Sequence, residues 1–175
     1  MKAILVFFLL AASAFAQDRI AGAAVAPGCG QDDVKFNVKT VNAQQPPTQP
    51  DAGKALVYFI EDDSDFESFP KPTTRAGLDG GWVGATHGNS YFTFSVDPGI
   101  HHLCAGWQST VIVGAGHQKV AAHFRFEAGN VYFLKVKNTY PPTHGTDMIH
   151  FVPVDSDEGM LLVSKIRLST SQPKK

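Results

Sequence analysis

Cysteine is scarce in this chain: two of 175 residues, Cys29 and Cys104. No Cys-x-x-Cys occurs, which removes the spacing of a thioredoxin-like redox centre or a zinc ribbon. Charge is thin as well. Asp, Glu, Lys and Arg make up 18% of the residues, below the usual quarter. Neither sign dominates, with 15 basic residues against 16 acidic ones and a net charge of −1. A nucleic-acid partner is therefore not expected. The short signatures of catalysis are missing too: no Gly-x-Ser-x-Gly, no Gly-rich phosphate loop before a helix, no His-Glu-x-x-His. No enzyme activity and no cofactor are expected. Beyond the first residues no apolar run reaches the ~18 positions of a spanning helix, so no transmembrane segment is expected in the mature chain.

What is present points to export and to strands. Lys2 precedes an apolar stretch over residues 3–12, and Ala14-Phe-Ala16 supplies the small-x-small pattern that a signal peptidase reads. Residues 1–16 are expected to be a signal peptide cut between Ala16 and Gln17, which places the protein in the periplasm or outside the cell. The alternative is a retained N-terminal anchor. Lipidation is disfavoured because Cys29 follows Ala26-Pro-Gly28. Removing the leader takes away Lys2 and no acid, leaving 14 basic and 16 acidic residues. In an oxidising compartment an even pair of cysteines favours a disulfide between Cys29 and Cys104, the alternative being two separate buried thiols.

Hydrophobic residues make up 43%, enough for a core, and Gly (16), Phe (13) and Pro (11) suit strands and turns. Residues 17–28 are small and unpatterned. Val34, Phe36 and Val38 alternate with Lys35, Asn37 and Lys39, as in a half-buried strand. Residues 42–53, with Gln44, Gln45, Pro46, Pro47, Gln49 and Pro50, read as a Pro/Gln-rich linker. The domain proper is expected over 54–169, with a polar tail at 170–175. It opens with Ala55-Leu-Val-Tyr-Phe-Ile60, a run suited to a strand buried on both faces. Further strands are read at 73–78, 82–86, 91–96, 100–107, 120–126, 131–137 and 148–154. Turns at Asp79-Gly-Gly81, His87-Gly-Asn89, Asp97-Pro-Gly99 and Glu127-Ala-Gly-Asn130 punctuate them. The first and the last of these read as hairpin turns. Leu103, Ala105 and Trp107 share the core face of their strand. Cys104 then lies on the outer face, where it would hold the strand of Val34, Phe36 and Val38 as a covering piece. Asp155-Ser-Asp-Glu158 reads as the cap of a short helix over 160–168. Short strands separated by frequent turns, with no strand–helix alternation, define an all-β chain. An antiparallel β-sandwich with a short C-terminal helix is the expected architecture.

Four stretches resemble a bacterial family called domain of unknown function 2846, a set of exported proteins and lipoproteins. They are Ala55-Leu-Val-Tyr-Phe-Ile60, Leu78-Asp-Gly-Gly-Trp-Val-Gly84, Ser90-Tyr-Phe-Thr-Phe-Ser-Val-Asp-Pro-Gly99 and Phe126-Glu-Ala-Gly-Asn-Val-Tyr-Phe133. The resemblance implies an immunoglobulin- or prealbumin-like sandwich and no established catalytic residue. Many family members carry a lipidated cysteine and a basic residue after the first strand. This chain has Glu61, Asp62 and Asp63 there instead.

Seven histidines are the best lead toward chemistry: His87, His101, His102, His117, His123, His144 and His150. A strand places His102 and Cys104 on one face, and His117 or His123 from neighbouring strands would complete a zinc or copper site. The simpler reading is hydrogen-bonded or surface imidazoles. The acidic run from Glu61 to Glu67 offers carboxylates to calcium but lacks the spacing of an EF-hand loop, and reads as a solvated charge run. Trp82, Tyr91 and Trp107 are candidates for a sugar- or peptide-binding face, the alternative being core packing. The expected function is therefore a non-catalytic exported module that binds an unidentified protein or envelope component, with a histidine metal site as the alternative.

Overall fold

Strict alternation along residues 55–62 sends Ala55, Val57 and Phe59 to one side of the backbone and Leu56, Tyr58 and Ile60 to the other. All six are buried, so both faces of this strand need cover. A computed structural model shows how it is supplied; it describes residues 28–42, 46–109, 112–113, 116–140 and 148–175. The expected signal peptide, most of the segment after it, part of the linker and His144 lie outside the described residues.

The elements are β1 (Phe36–Val41), β2 (Ala55–Asp62), β3 (Thr73–Leu78), β4 (Gly81–His87), β5 (Ser90–Val96), β6 (Gly99–Trp107), β7 (Lys119–Phe126), β8 (Val131–Asn138), β9 (Ile149–Val154), α1 (Ser156–Lys165) and β10 (Arg167–Pro173). They form a six-stranded sheet, β1-β10-β5-β2-β8-β9, and a four-stranded sheet, β4-β3-β6-β7. The chain is an all-β sandwich with a short C-terminal helix. Phe59, Val57 and Leu134 of the large sheet meet Ala76, Leu103, Ala105, Trp107 and Phe126 of the small one. On the far side of β2, Leu56, Tyr58 and Ile60 pack with Tyr91, Phe133 and Val163 of α1. The helix approaches so closely that a Cβ at Gly159 would collide with the Phe133 ring. Asp155 caps it, accepting from the Glu158 amide at 2.9 Å.

Several expectations are corrected. The large sheet is mixed rather than purely antiparallel: β2 pairs β8 in parallel, and β10 pairs β5 in parallel. Glu127-Ala-Gly-Asn130 is not a hairpin turn. It arches between sheets, because Gly129 donates to the Lys54 carbonyl and Asn130 accepts from Leu56, drawing β8 alongside β2. The helix ends at Lys165 rather than continuing to 168. Ile166 turns extended, and the alternation of Arg167, Leu168 and Ser169 starts a strand. The expected tail at 170–175 is the greater part of β10, which is paired along its length with β1. The boundaries at 53 and 169 therefore cut through one sheet. Nor is β1 a covering piece over Cys104, since it is an edge strand of the large sheet.

Shortening the chain to residues 1–168 removes the strand that β1 pairs with. The thermal midpoint should fall by on the order of 10 °C or more, as loss of several kcal/mol demands in a domain of this size. A frayed tail would leave the midpoint unchanged in the same calorimetric scan.

Candidate functional site

The sequence-read candidates do not converge. Trp107 is fully buried between the sheets, and its indole Nε1 donates to Asn138 Oδ1 at 2.9 Å. Tyr91 is buried on the opposite face of the large sheet, with Tyr58 and Val163. Trp82 lies on the outside of the small sheet. There its Nε1 donates to the Gln31 carbonyl at 2.7 Å and the Arg75 guanidinium stacks on its ring, 4.1 Å from the centroid. The three aromatics share no face, which corrects the proposed ligand platform. They are packing residues because each occupies a different layer.

His102 and His123 are paired across β6 and β7 and are exposed, and His117 is exposed before β7. Cys104 is bonded to Cys29, with a Cα separation of 5.0 Å, so it is withdrawn from any ligand set. Among the described residues no group of three His, Cys, Asp or Glu side chains is placed to hold a metal ion.

Cys104 does lie on the outer face of its sheet, and the disulfide ties residues 28–34 across that face. A Cβ at Gly77 would strike the Gly28 carbonyl, so the crossing needs glycine beneath it. Arg75 is buried here without a carboxylate in contact. It donates through Nη1 to the carbonyls of Asp32 and Val34, at 3.2 and 2.7 Å.

The chemically distinctive cluster is one that the sequence reading placed in solvent. The alternation of β2 carries on past Phe59, so Glu61 points between the sheets and is 1% exposed. Asp63 is fully buried next to it. Asn138 Nδ2 donates to Asp63 Oδ1 at 2.6 Å and to Glu61 Oε1 at 3.3 Å. The indole N–H of Trp107 only donates, so it holds Asn138 Oδ1 toward itself and fixes the amide group toward the acids. Among the described residues Glu61 Oε2 and Asp63 Oδ2 find no hydrogen-bond partner, so burial of the two carboxyls favours their neutral forms. Asp62 and Asp65, from the same run, pair instead with Lys137, at 3.3 and 2.8 Å.

Burial pushes the Glu61 carboxyl well above its usual range. Asp63 adds to the rise, while Thr74, Thr86 and the Gly88 amide offset part of it. Burial also lifts Asp63, to about 6, against its hydrogen bond from Asn138 and the fields of Lys71 and His87. Neither acid reaches solvent, so the pair has no route to a substrate. Its phase with Ala55, Val57 and Phe59 was the signal available in the sequence.

No protein-family model matches the chain, and neither does any curated protein or solved structure.

A carboxyl with a raised folded pKa stabilises fully below its unfolded value and loses that contribution as pH climbs through the folded value. For Asp63, moving from 3.8 to about 6, this amounts to a loss of ~3 kcal/mol between about pH 4 and pH 6. Glu61 acts with the same sign. Asp32, held down by its hydrogen bond from Lys119, loses its contribution only below its unfolded value of 3.8, so the two effects separate. Urea unfolding at pH 4 to 8 should show stability falling as pH rises, with a flatter profile in Asp63→Asn. An unchanged profile in that variant would refute the buried-proton account.

Proposed function

We propose that this chain is an exported, non-catalytic β-sandwich module that binds a component of the envelope or its surroundings. The observation that carries the reading is the disulfide between Cys29 and Cys104, both 1% exposed. Such a bond belongs to the periplasm or the extracellular space, where thiols are oxidised. It follows directly on a leader whose Ala14-Phe-Ala16 pattern supports cleavage before Gln17. The resemblance to the exported family of unknown function 2846 fits the same compartment. It adds no catalytic residue, and the buried acid pair has no contact with solvent. A binding role is what this arrangement supports.

Intact-mass measurement of the protein secreted with its own leader tests the proposal. The expected mass begins at Gln17 and is two hydrogens lighter than the dithiol form. A mass retaining residues 1–16, or a reduced mass from the cytosol, would overturn export. The paired variant Cys29→Ser/Cys104→Ser should lose roughly 4 kcal/mol in urea unfolding, from release of a 75-residue separation.

A further inference from the structure

Four lysines of this chain are paired with acids. Lys54 pairs with Asp97, Lys119 with Asp32, Lys135 with Glu158, and Lys137 with Asp62 and Asp65. One region instead gathers several bases in a single cleft with no acid beside them. A cleft of about 500 Å³ lies between the β4–β5 turn and the junction of α1 with β10. Lys71, His87, Lys165 and Arg167 line it, and no carboxylate does. Among the described residues Lys71, Lys165 and Arg167 have no ion-pair partner. Two distant parts of the chain supply them: the segment before β3 gives Lys71, and the junction of α1 with β10 gives Lys165 and Arg167.

Gathering positive charge in one cleft, in a chain with more acids than bases, costs self-repulsion that a bound anion would relieve. We propose that this cleft binds the phosphate group of a phosphorylated small molecule or lipid headgroup. This names a ligand for the binding module, and it rests on that reading.

The site is positioned rather than merely charged. The aliphatic stem of Lys71 lies against the β4–β5 turn, with its Cδ 3.2 Å from where a Cβ on Gly88 would be. Gly88 and Asn89 both have positive φ, 67° and 46°, which folds that turn tightly. Asn89 is anchored from below, its Oδ1 accepting from the Asp63 amide at 2.6 Å. Arg167 is fixed by its place beside Ser90 in the β10–β5 pairing.

His87 also borders the cleft. Its Nδ1 is 3.0 Å from the Pro72 carbonyl, which only accepts, so Nδ1 carries the hydrogen. The groups facing His87 are Lys71, Lys165 and Arg167 around the cleft, with Asp63 and Glu61 behind the turn. The C-terminal end of α1 presents carbonyls, so the side chains and not the helix dipole must hold the phosphate. The volume lies within the ordinary range for small-molecule sites, ~300–1,000 Å³. That leaves room for an organic group beyond the phosphate.

The test is an amide chemical-shift titration of the folded, oxidised protein with inorganic pyrophosphate at low salt. It does not depend on export, so its failure and the failure of the export reading are separate results. Saturable shifts should centre on Gly88, Asn89, Ile166 and Arg167. Affinity should fall at least tenfold in Lys71→Ala/Arg167→Ala and stay unchanged in Lys54→Ala, whose lysine lies elsewhere. Circular dichroism of each variant establishes that it is folded. A parallel arm sediments the protein with phosphatidylglycerol vesicles. Binding to pyrophosphate alone identifies a soluble ligand, and variant-sensitive sedimentation identifies a lipid headgroup. Absence of saturable binding in both arms, or shifts scattered over remote lysines and insensitive to the double variant, would overturn the proposal.

Discussion

The architecture depends on β2 being apolar on both faces. A strand with one apolar face is satisfied by a single neighbouring layer, but Leu56, Tyr58 and Ile60 need cover that the small sheet cannot reach. That requirement places α1 on the outer side of the large sheet and makes Gly159 necessary against Phe133. It also explains the parallel partner. With β5 on one edge and β8 on the other, β2 is interior in hydrogen bonding as well as in packing. Of these three Tyr58 carries the polar group, and it donates its hydroxyl to the Pro47 carbonyl, bringing the linker back onto the domain.

Much of this was legible because it is local. The period-two patterns located nearly every strand, and Asp79-Gly80 was recognisable as a hairpin turn because both residues adopt the positive φ that such a turn requires. The double burial of β2 and the core face of β6 follow from the same counting. What was hidden is which strands meet. A tight turn reports that the chain reverses, not whether it returns to the same sheet, so the arch at 127–130 looked like a hairpin. The last strand was hidden for another reason. Ser169, Thr170, Ser171 and Gln172 have no apolar alternation, and β10 is held by pairing with β1 and by the Ser90–Ser169 and Ala85–Ser171 hydrogen bonds rather than by a hydrophobic face. The acidic run was misread because composition outweighed phase. Five acids close together look solvated, although Glu61 continues the inward register of Phe59.

The buried acids and the basic cleft are two sides of one turn. Glu61 receives the Gly88 amide, and Asp63 donates its own amide to Asn89. The fields of Lys71 and His87 reach Asp63 from the cleft side. Negative charge on the inner side thus offsets part of the repulsion among the outer bases, and the bases favour ionisation of Asp63. Each side moderates a cost that the other incurs, which gives a physical reason for two unusual clusters to occur together.

The closing pairs of the fold bear on where it can form. β1 and β10 come from opposite ends of the described chain, with Thr170 bonded to Lys39 across 131 residues. Contacts that distant form late, because loop closure precedes their reward. The large sheet therefore cannot be completed until the last residues are available. The N-terminal strap cannot be locked until Cys29 meets Cys104 in an oxidising medium. Arg75 and Trp82 hold the strap by hydrogen bonds to Gln31, Asp32 and Val34 in addition to the disulfide, so the covalent bond reinforces a docking that is already specific. A complete chain in an oxidising medium meets both conditions at once, and the export proposed above would supply that medium.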